Sequence, residues 1–94
     1  MLDGRLVEYF LVVAREQNMT KAAAELHISQ PALSAQIAAL EKQLGIKLFK
    51  RTNKSTLLTE DGVLFRARAQ ELVHLTNKIE SEFTYDTGSI TGAI

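Results

Sequence analysis

Few side chains in this sequence could carry out covalent chemistry, and they stand far apart. The chain has no cysteine, and neither His27 nor His74 has a second ligand or an acid at metal-binding spacing. No serine has a general base placed beside it. The adjacent acids Glu60 and Asp61 are explained by a helix start, where the helix dipole favours negative charge. We therefore expect no catalytic residue, no metal site and no cofactor in these 94 residues, and predict that the chain is not an enzyme.

The cations of the sequence are concentrated in its middle part, although the net charge is zero. Residues 20–54 hold six Lys and Arg side chains against two glutamates, whereas the segments on either side are acidic. Four of those six cations lie between Lys47 and Lys54, with no acid among them. Such local asymmetry is what a phosphate-binding surface requires. A solvated loop is the alternative for a run this short.

Three helices are predicted in the first half of the chain. Apolar residues at helical spacing predict an amphipathic helix over about Gly4–Gln17. Thr20 is a suitable N-cap for a short second helix that ends near Leu26. A third helix is predicted over Ser29–Leu44, with Ser29 as its N-cap and Gly45 as its stop. Its inward stripe consists of Leu33, Ile37, Leu40 and Leu44.

The second and third helices, joined by a tight turn, predict a helix-turn-helix over residues 19–38. This motif exposes the N-terminal end of its second helix, which can enter a DNA major groove. Glutamine can pair with an adenine edge, serine can reach several acceptors, and proline or alanine can contact a thymine methyl group. The predicted base-reading residues are Gln30, Pro31, Ala32, Ser34 and Ala35. A plain helical hairpin, whose exposed alanines only raise helix propensity, is the alternative.

A small β-hairpin wing is predicted after the third helix. Two short β-prone segments, near Lys47–Phe49 and Thr56–Leu58, flank the polar stretch Arg51–Ser55. Phosphate contacts are assigned to polar and basic residues around the third helix, which supply the attraction that its neutral outer face lacks. These residues are Thr20, Lys21, Lys47, Lys50, Arg51 and Lys54.

A long fourth helix is predicted from its cap Thr59 to about Phe83. Its apolar positions follow one another at steps of four and three, the 3.5-residue spacing of a coiled coil. This predicted seam consists of Phe65, Ala69, Leu72, Thr76, Ile79 and Phe83. Three helices and a wing cannot cover a helix of that length, so we predict dimerisation through it rather than packing within one chain.

Length and composition agree with a single folded domain. The chain has 46% hydrophobic and 23% charged residues, as folded proteins do. No apolar run approaches the roughly 18 residues of a membrane span, and no signal-peptide pattern opens the chain. We expect a cytoplasmic protein with no membrane partner.

The stretch "MTKAAAELHISQPALSAQIAALEKQLGIKLFKRT", followed by "LLTEDG", closely resembles the N-terminal winged helix-turn-helix of LysR-type transcriptional regulators. The family pattern is A-A-x-x-L-x-x-S-Q-P-A-L-S-x-Q-I-x-x-L-E-x-x-L-G-x-x-L-F-x-R, then L-T-x-x-G. The chain matches it from Ala22-Ala23 to Gly62, and the resemblance covers residues 2–92.

The resemblance implies a mostly α-helical fold in three parts. Residues 1–58 form the winged helix-turn-helix, residues 59–86 the linker and dimerisation helix, and residues 87–94 the hinge and start of an absent effector domain. It implies binding to double-stranded promoter DNA as a homodimer or a pair of dimers, and a small-molecule effector for the full-length protein. Carried over by position, Ser29 joins the phosphate-binding residues, and Asn53-Lys54 forms the wing near the minor groove.

The sequence departs from the family at two predicted DNA contacts. Ala35 stands where many members have arginine or lysine, so a charged base contact is missing. Lys54 and Ser55 stand where the wing often carries an arginine, and lysine enters a minor groove less readily because its ammonium is more strongly hydrated. A helical dimerisation or partner-binding module without specific DNA binding is the alternative function.

Overall fold

A computed structural model describes residues 2–88 of the chain and the side chains of residues 2–84. Its elements are α1 (Gly4–Glu16), α2 (Met19–Leu26), α3 (Gln30–Leu44), β1 (Phe49–Arg51), β2 (Thr56–Leu58) and α4 (Glu60–Gly88). The two strands form an antiparallel hairpin in which Phe49 pairs with Leu58 and Arg51 with Thr56. The predicted winged helix-turn-helix with a long following helix is confirmed.

The helix boundaries follow from local capping. The side chain of Asp3 accepts a hydrogen bond from the backbone amide of Arg5 and begins α1. Ser29 caps α3 as predicted, since its Oγ accepts from the amide of Ala32 at 3.2 Å. Gly45 ends α3 in the left-handed conformation, with φ of 72°. Glycine adopts this conformation with little conformational strain, because it has no Cβ.

The predicted cap of α2 was wrong. Asn18, not Thr20, is the N-cap, and its side chain accepts from the amide of Lys21 at 2.8 Å. Asparagine is at least as good a cap as threonine, and the helix gains two residues by starting earlier. Thr20 consequently lies inside the first turn, with its side chain exposed.

Two other boundaries and the burial of one residue differ from the prediction. The first strand starts at Phe49, two residues later than expected, and Leu48 just before it is buried. Leu44, predicted to face inward, is 36% exposed at the end of α3. Helix α4 continues to Gly88 instead of ending near Phe83. The predicted hinge, residues 87–94, lies outside the described residues except for its first two positions, which are helical.

One hydrophobic core joins the first three helices to the hairpin and to the start of α4. Its fully buried members include Phe10 and Val13 of α1 and Leu33, Ile37 and Leu40 of α3. The Phe10 ring lies 5.1 Å from that of Phe49 and 4.7 Å from that of Phe65, measured between centroids. Because these rings come from α1, β1 and α4, the base of the wing and the start of the long helix have fixed positions relative to the helix-turn-helix.

Candidate nucleic-acid interface

The first two turns of α3 present the predicted base-reading residues on the outside of the protein. Leu33 and Ile37 point into the core, so the opposite side of the helix faces solvent. Pro31, Ala32 and Ala35 are exposed there. Gln30 and Ser34 are half-buried, at the edge of this face. The exposed surface is therefore small and uncharged, and its polar side chains are Gln30, Ser34 and the exposed Gln36.

Two predicted phosphate contacts lie in the first turn of α2. Thr20 and Lys21 are exposed there, next to backbone amides that carry the positive end of the helix dipole. Ala22 and Ala23 of the same helix are buried. Their small side chains let α2 lie close to the core and leave its first turn at the surface.

Ser29 has a structural task as well as a predicted phosphate contact. Its oxygen accepts the capping hydrogen bond from Ala32, and its side chain is exposed. A hydroxyl that accepts a hydrogen bond still has its own proton to donate. The capped geometry is thus compatible with a hydrogen bond from Ser29 to an anion.

The loop of the wing, Thr52–Ser55, is closed by hydrogen bonds to the side chain of Thr52. Its Oγ1 accepts from the amide of Ser55 at 3.0 Å and from that of Lys54 at 3.2 Å. The amide of Thr52 donates to the carbonyl of Ser55 at 2.8 Å. This network gives a fixed shape to a loop whose Asn53-Lys54 centre is a weak turn signal.

A concave surface brings many of the predicted DNA contacts together. A shallow groove of about 240 Å³ lies between the starts of α2 and α3 and the wing. Its lining includes Thr20, Gln30, Arg51, Asn53 and Lys54. A second groove, of about 350 Å³, runs between α3 and β1 and is lined by Ser34, Lys47 and Arg51 among others. Arg51 borders both grooves.

Other predicted residues lie outside these two grooves. Pro31, Ala32 and Ala35 of α3, Lys21 of α2 and Lys50 of β1 are exposed but line neither groove. Successive residues of a strand point to opposite sides, so Lys50 and its neighbour Arg51 face different ways.

The exposed cations divide into paired and unpaired groups. Arg5, Arg15, Lys47 and Arg68 each lie within 4.0 Å of a carboxylate. Within the described side chains, Lys21, Lys50, Arg51 and Lys54 form no ion pair. Neither do Lys42 near the end of α3 and the two α4 cations Arg66 and Lys78. The charges around α2, α3 and the wing are thus available to an external anion.

Glu41 is a residue of this surface for which the sequence suggested no role. Its carboxylate lies in the groove between α3 and β1, where it accepts hydrogen bonds from the backbone amides of Leu48 and Phe49. Lys47, predicted to contact phosphate, lies 3.9 Å from the same carboxylate, with its side chain 81% exposed. The sequence did not predict these contacts, because helical spacing does not relate Glu41 to residues that follow the end of α3.

The exposed face of α4 differs from the predicted seam. Phe65 and Ala69 pack against the core of their own chain: Ala69 is buried and Phe65 contacts Phe10. Their assignment to a seam between subunits was wrong, because α1 already covers that side of α4. The large apolar side chains left exposed along the adjacent face, called here the apolar stripe, are Leu64, Leu72, Leu75, Ile79 and Phe83. Thr76 lies at the border of the stripe, in a cleft between α4 and the start of α1.

The arrangement of helices, wing and long helix agrees with a comparison of the sequence with known families. The family described as "Bacterial regulatory helix-turn-helix protein, lysR family" matches residues 5–63. The chain belongs to this family. The matched segment contains the complete helix-turn-helix and wing of this LysR-family protein and ends in the first turn of α4.

The relatives of this LysR-family chain extend well beyond the part that matches it. The HTH-type transcriptional regulator BsdA of Bacillus subtilis is 45% identical over 74 residues, which are 78% of this chain and 26% of BsdA. ClcR of Pseudomonas putida, another HTH-type transcriptional regulator, is 45% identical over 75 residues, 80% of this chain and 26% of ClcR. The chain spans about a quarter of the length of these relatives.

A solved structure shares the fold of this chain. The protein in the crystal structure of the BenM_DBD/catB site 1 DNA complex superposes with a TM-score of 0.89 at 34% identity, covering 99% of this LysR-family chain and 100% of that chain.

None of the helices in the described part of the protein is long and apolar enough to cross a membrane.

Proposed function

We propose that this LysR-family chain is a sequence-specific DNA-binding module of a transcription regulator, with α3 in the major groove and the wing directed toward the minor groove. The observation that carries this proposal is the surface built by α2, α3 and the wing. A neutral, exposed helix end lies there beside Lys21, Arg51 and Lys54, which form no ion pair among the described side chains. The superposition on the protein of the BenM_DBD/catB site 1 DNA complex supports it.

In this proposal the outer face of α3 reads base edges. Gln30 pairs with an adenine edge, and Ser34 donates to or accepts from a base. The exposed Pro31, Ala32 and Ala35 allow the helix to approach closely and contact thymine methyl groups. The half-buried positions of Gln30 and Ser34 restrict their side-chain freedom before binding, which lowers the entropic cost of these hydrogen bonds.

The residues around α3 bind the sugar-phosphate backbone and set the position of the module on the duplex. The first turn of α2 contributes helix-terminal amides together with Thr20 and Lys21. Arg51, which borders both grooves, is the central phosphate contact. The other proposed contacts are Ser29, Lys50, Asn53 and Lys54.

We further propose that the module works as a homodimer through α4, which places two copies of α3 on the DNA, with a pair of dimers in the full-length regulator. The apolar stripe supports this, because four large side chains on one face of a single helix are 44–57% exposed in the protomer, namely Leu64, Leu72, Leu75 and Ile79. Burial of that face between two helices supplies the driving force for association.

The remaining expectations concern the whole regulator. We propose that it acts in the cytoplasm, catalyses no reaction and responds to a small-molecule effector bound outside these 94 residues. The length of its relatives supports a sensing region of this kind, since the matched segment is only 26% of BsdA.

The DNA-binding proposal is tested by fluorescence anisotropy with duplexes selected from a random-sequence library, over a series of salt concentrations. Wild-type affinity should fall steeply as salt rises, because bound phosphates release their counterions. Arg51→Ala should weaken binding to all sequences and reduce the salt slope by about one. Gln30→Ala should cost roughly 1–3 kcal/mol on the selected duplex and relax its preference over random DNA.

Lys78→Ala is the matched control, since this lysine lies on α4 away from the proposed surface and also forms no ion pair among the described side chains. It should leave affinity nearly unchanged. Equal losses for Gln30→Ala on selected and random duplexes would refute its base-reading role. Self-association without salt-dependent DNA affinity would instead establish a helical dimerisation module.

A further inference from the structure

The carboxylate of Glu41 ties the end of α3 to the chain that enters the wing. Its Oε2 accepts hydrogen bonds from the backbone amides of Leu48 at 2.7 Å and Phe49 at 3.2 Å. The Glu41 side chain is only 12% exposed. Hydrogen bonds to an ionised acceptor are about twice as strong as neutral ones, and limited solvent access strengthens them further. This contact is therefore a stiff connection between two elements.

The segment held by Glu41 is also fixed from its other side. The carbonyl of Leu48 accepts from the amide of Thr59 at 3.0 Å, and the Thr59 hydroxyl donates to the carbonyl of Lys47 at 2.6 Å. The chain between α3 and β1 is thus held between Glu41 and the start of α4. Little freedom remains for β1 to change its angle to α3 while these bonds persist.

The two ends of the connection lie next to different DNA contacts of the proposed function. Ser34 lies two helical turns before Glu41 on α3, and Arg51 lies two residues after Phe49 on β1. All four residues line the groove between α3 and the wing. A small rotation of β1 about its junction with α3 would therefore move Arg51 relative to a duplex on which Ser34 is already placed.

We propose that Glu41 is a positioning residue for DNA binding: it sets the angle between the recognition helix and the wing, so that Arg51 reaches a phosphate while α3 occupies the major groove. The inference rests on the proposed function. Glu41 itself does not contact DNA. Its negative charge near the bound phosphates is offset by the two backbone amides and by Lys47, which lies 3.9 Å away.

The test is a double-mutant cycle between Glu41 and Arg51, measured as anisotropy affinities for one selected duplex at one salt concentration. In the wild-type background, Arg51→Ala should weaken binding by about tenfold, the equivalent of 1.4 kcal/mol. In the Glu41→Ala background the same change should weaken binding by less than about twofold, because the mispositioned Arg51 contributes little to affinity. Coupling of this size is characteristic of residues that act through one another.

Two further variants separate positioning from general stability. In Glu41→Gln the side-chain amide oxygen can still accept hydrogen bonds from both backbone amides. Arg51→Ala should therefore weaken binding as much in this background as in the wild type. Glu8→Ala, the control, removes an exposed glutamate of α1. In this background too, Arg51→Ala should weaken binding as much as in the wild type. Circular dichroism at the assay temperature establishes that each variant is folded. If Glu41→Ala does not fold, Glu41→Asp takes its place in the cycle, since its shorter side chain keeps the charge but cannot reach both amides.

An equal cost of Arg51→Ala in the wild-type and Glu41→Ala backgrounds would overturn the inference, and so would a Glu41→Gln protein that behaves like Glu41→Ala. Neither result touches the proposed function, which fails separately if the wild-type protein shows no salt-dependent DNA affinity.

Discussion

The ring of Phe65 meets the ring of Phe10 edge to face, with the ring planes at 85° and the centroids 4.7 Å apart. This contact joins the start of α4 to α1 in the centre of the core. The position of the long helix relative to the helix-turn-helix is consequently set by packing within the protomer, before any partner is considered.

Phe65→Ala should lower the free energy of unfolding by about 2–3 kcal/mol, somewhat less than for a fully buried phenylalanine, because Phe65 is half-buried. Urea unfolding followed by circular dichroism measures the loss. Val63→Ala, at a side chain 49% exposed on the same turn, is the control and should change stability by less than about 0.5 kcal/mol. Similar values for both variants would show that the start of α4 is not part of the core.

Gly62→Ala should destabilise the protein by at least about 1–3 kcal/mol, since an added Cβ would overlap the carbonyl oxygen of Leu48 and press on the side chain of Leu58. The backbone carbonyl cannot move away easily because it accepts a hydrogen bond from Thr59. Thermal unfolding measures the effect. Gly4→Ala is the matched control: an added Cβ there meets no atom within 4 Å, so stability should stay the same or rise slightly.

Thr52→Val should loosen the wing loop without affecting the core. The variant keeps the shape of the side chain but removes the oxygen that accepts from the amides of Lys54 and Ser55. Loss of about 1 kcal/mol of hydrogen bonding should speed amide hydrogen exchange at these two residues by roughly fivefold, measured by NMR. Thr52→Ser retains the oxygen and should exchange like the wild type. Unchanged exchange in Thr52→Val would mean that the loop holds its shape by other means.

Ile79→Glu should weaken self-association by at least about tenfold, because it places a charge in the middle of the apolar stripe. The side chain is 49% exposed in the protomer, so the fold itself should tolerate the change. Sedimentation equilibrium gives the dimer dissociation constant. Gln70→Glu introduces the same charge at an exposed position of α4 outside the stripe and should leave the constant unchanged. A tight dimer in Ile79→Glu would place the subunit contact elsewhere.

Acid should destabilise the contact between α1 and α2. The guanidinium of Arg15 donates a hydrogen bond to the carboxylate of Glu25 and thereby lowers the pKa of Glu25 below its usual 4.5. A lowered pKa in the folded state adds stability above the unfolded-state pKa, and this contribution is lost as pH falls through the folded-state value. The effect is small, because both side chains are exposed.

Melting temperatures measured from neutral pH down to about pH 2.5 test this linkage. The decline on acidification should be shallower for Glu25→Gln than for the wild type. Glu80→Gln, at an exposed carboxylate without an ion pair among the described side chains, should follow the wild-type curve. Curves of equal slope for Glu25→Gln and the wild type would exclude the proposed linkage.

Where sequence and structure agree, the deciding interactions are short in sequence. Ser29 caps α3 through an amide three residues away, and Gly45 ends the same helix by its own conformation. The buried side of α3 follows from the helical spacing of Leu33, Ile37 and Leu40. The wing loop is an intermediate case: its position was predicted, but the hydrogen bonds of Thr52 that shape it were not.

Where the prediction from sequence and the structure disagree, the residue concerned contacts residues from distant parts of the chain. Phe65 and Ala69 have coiled-coil spacing, yet α1 covers them. Spacing identifies an apolar face of a helix but not what packs against it. Glu41 matches the family pattern, but the sequence predicted no role for it. Its partners Leu48 and Phe49 lie beyond the turn that ends α3, so helical spacing does not indicate the contact.

The sequence by itself determined the helices, the caps of α3 and α4, the family and the outward face of α3, because periodicity and capping act within about one helical turn. Only the tertiary structure decided which side of α4 remains free, which cations lack a carboxylate partner and how the wing is held to α3. These features depend on the angles at which α1, the hairpin and α4 pack around Phe10, and no local spacing specifies such angles.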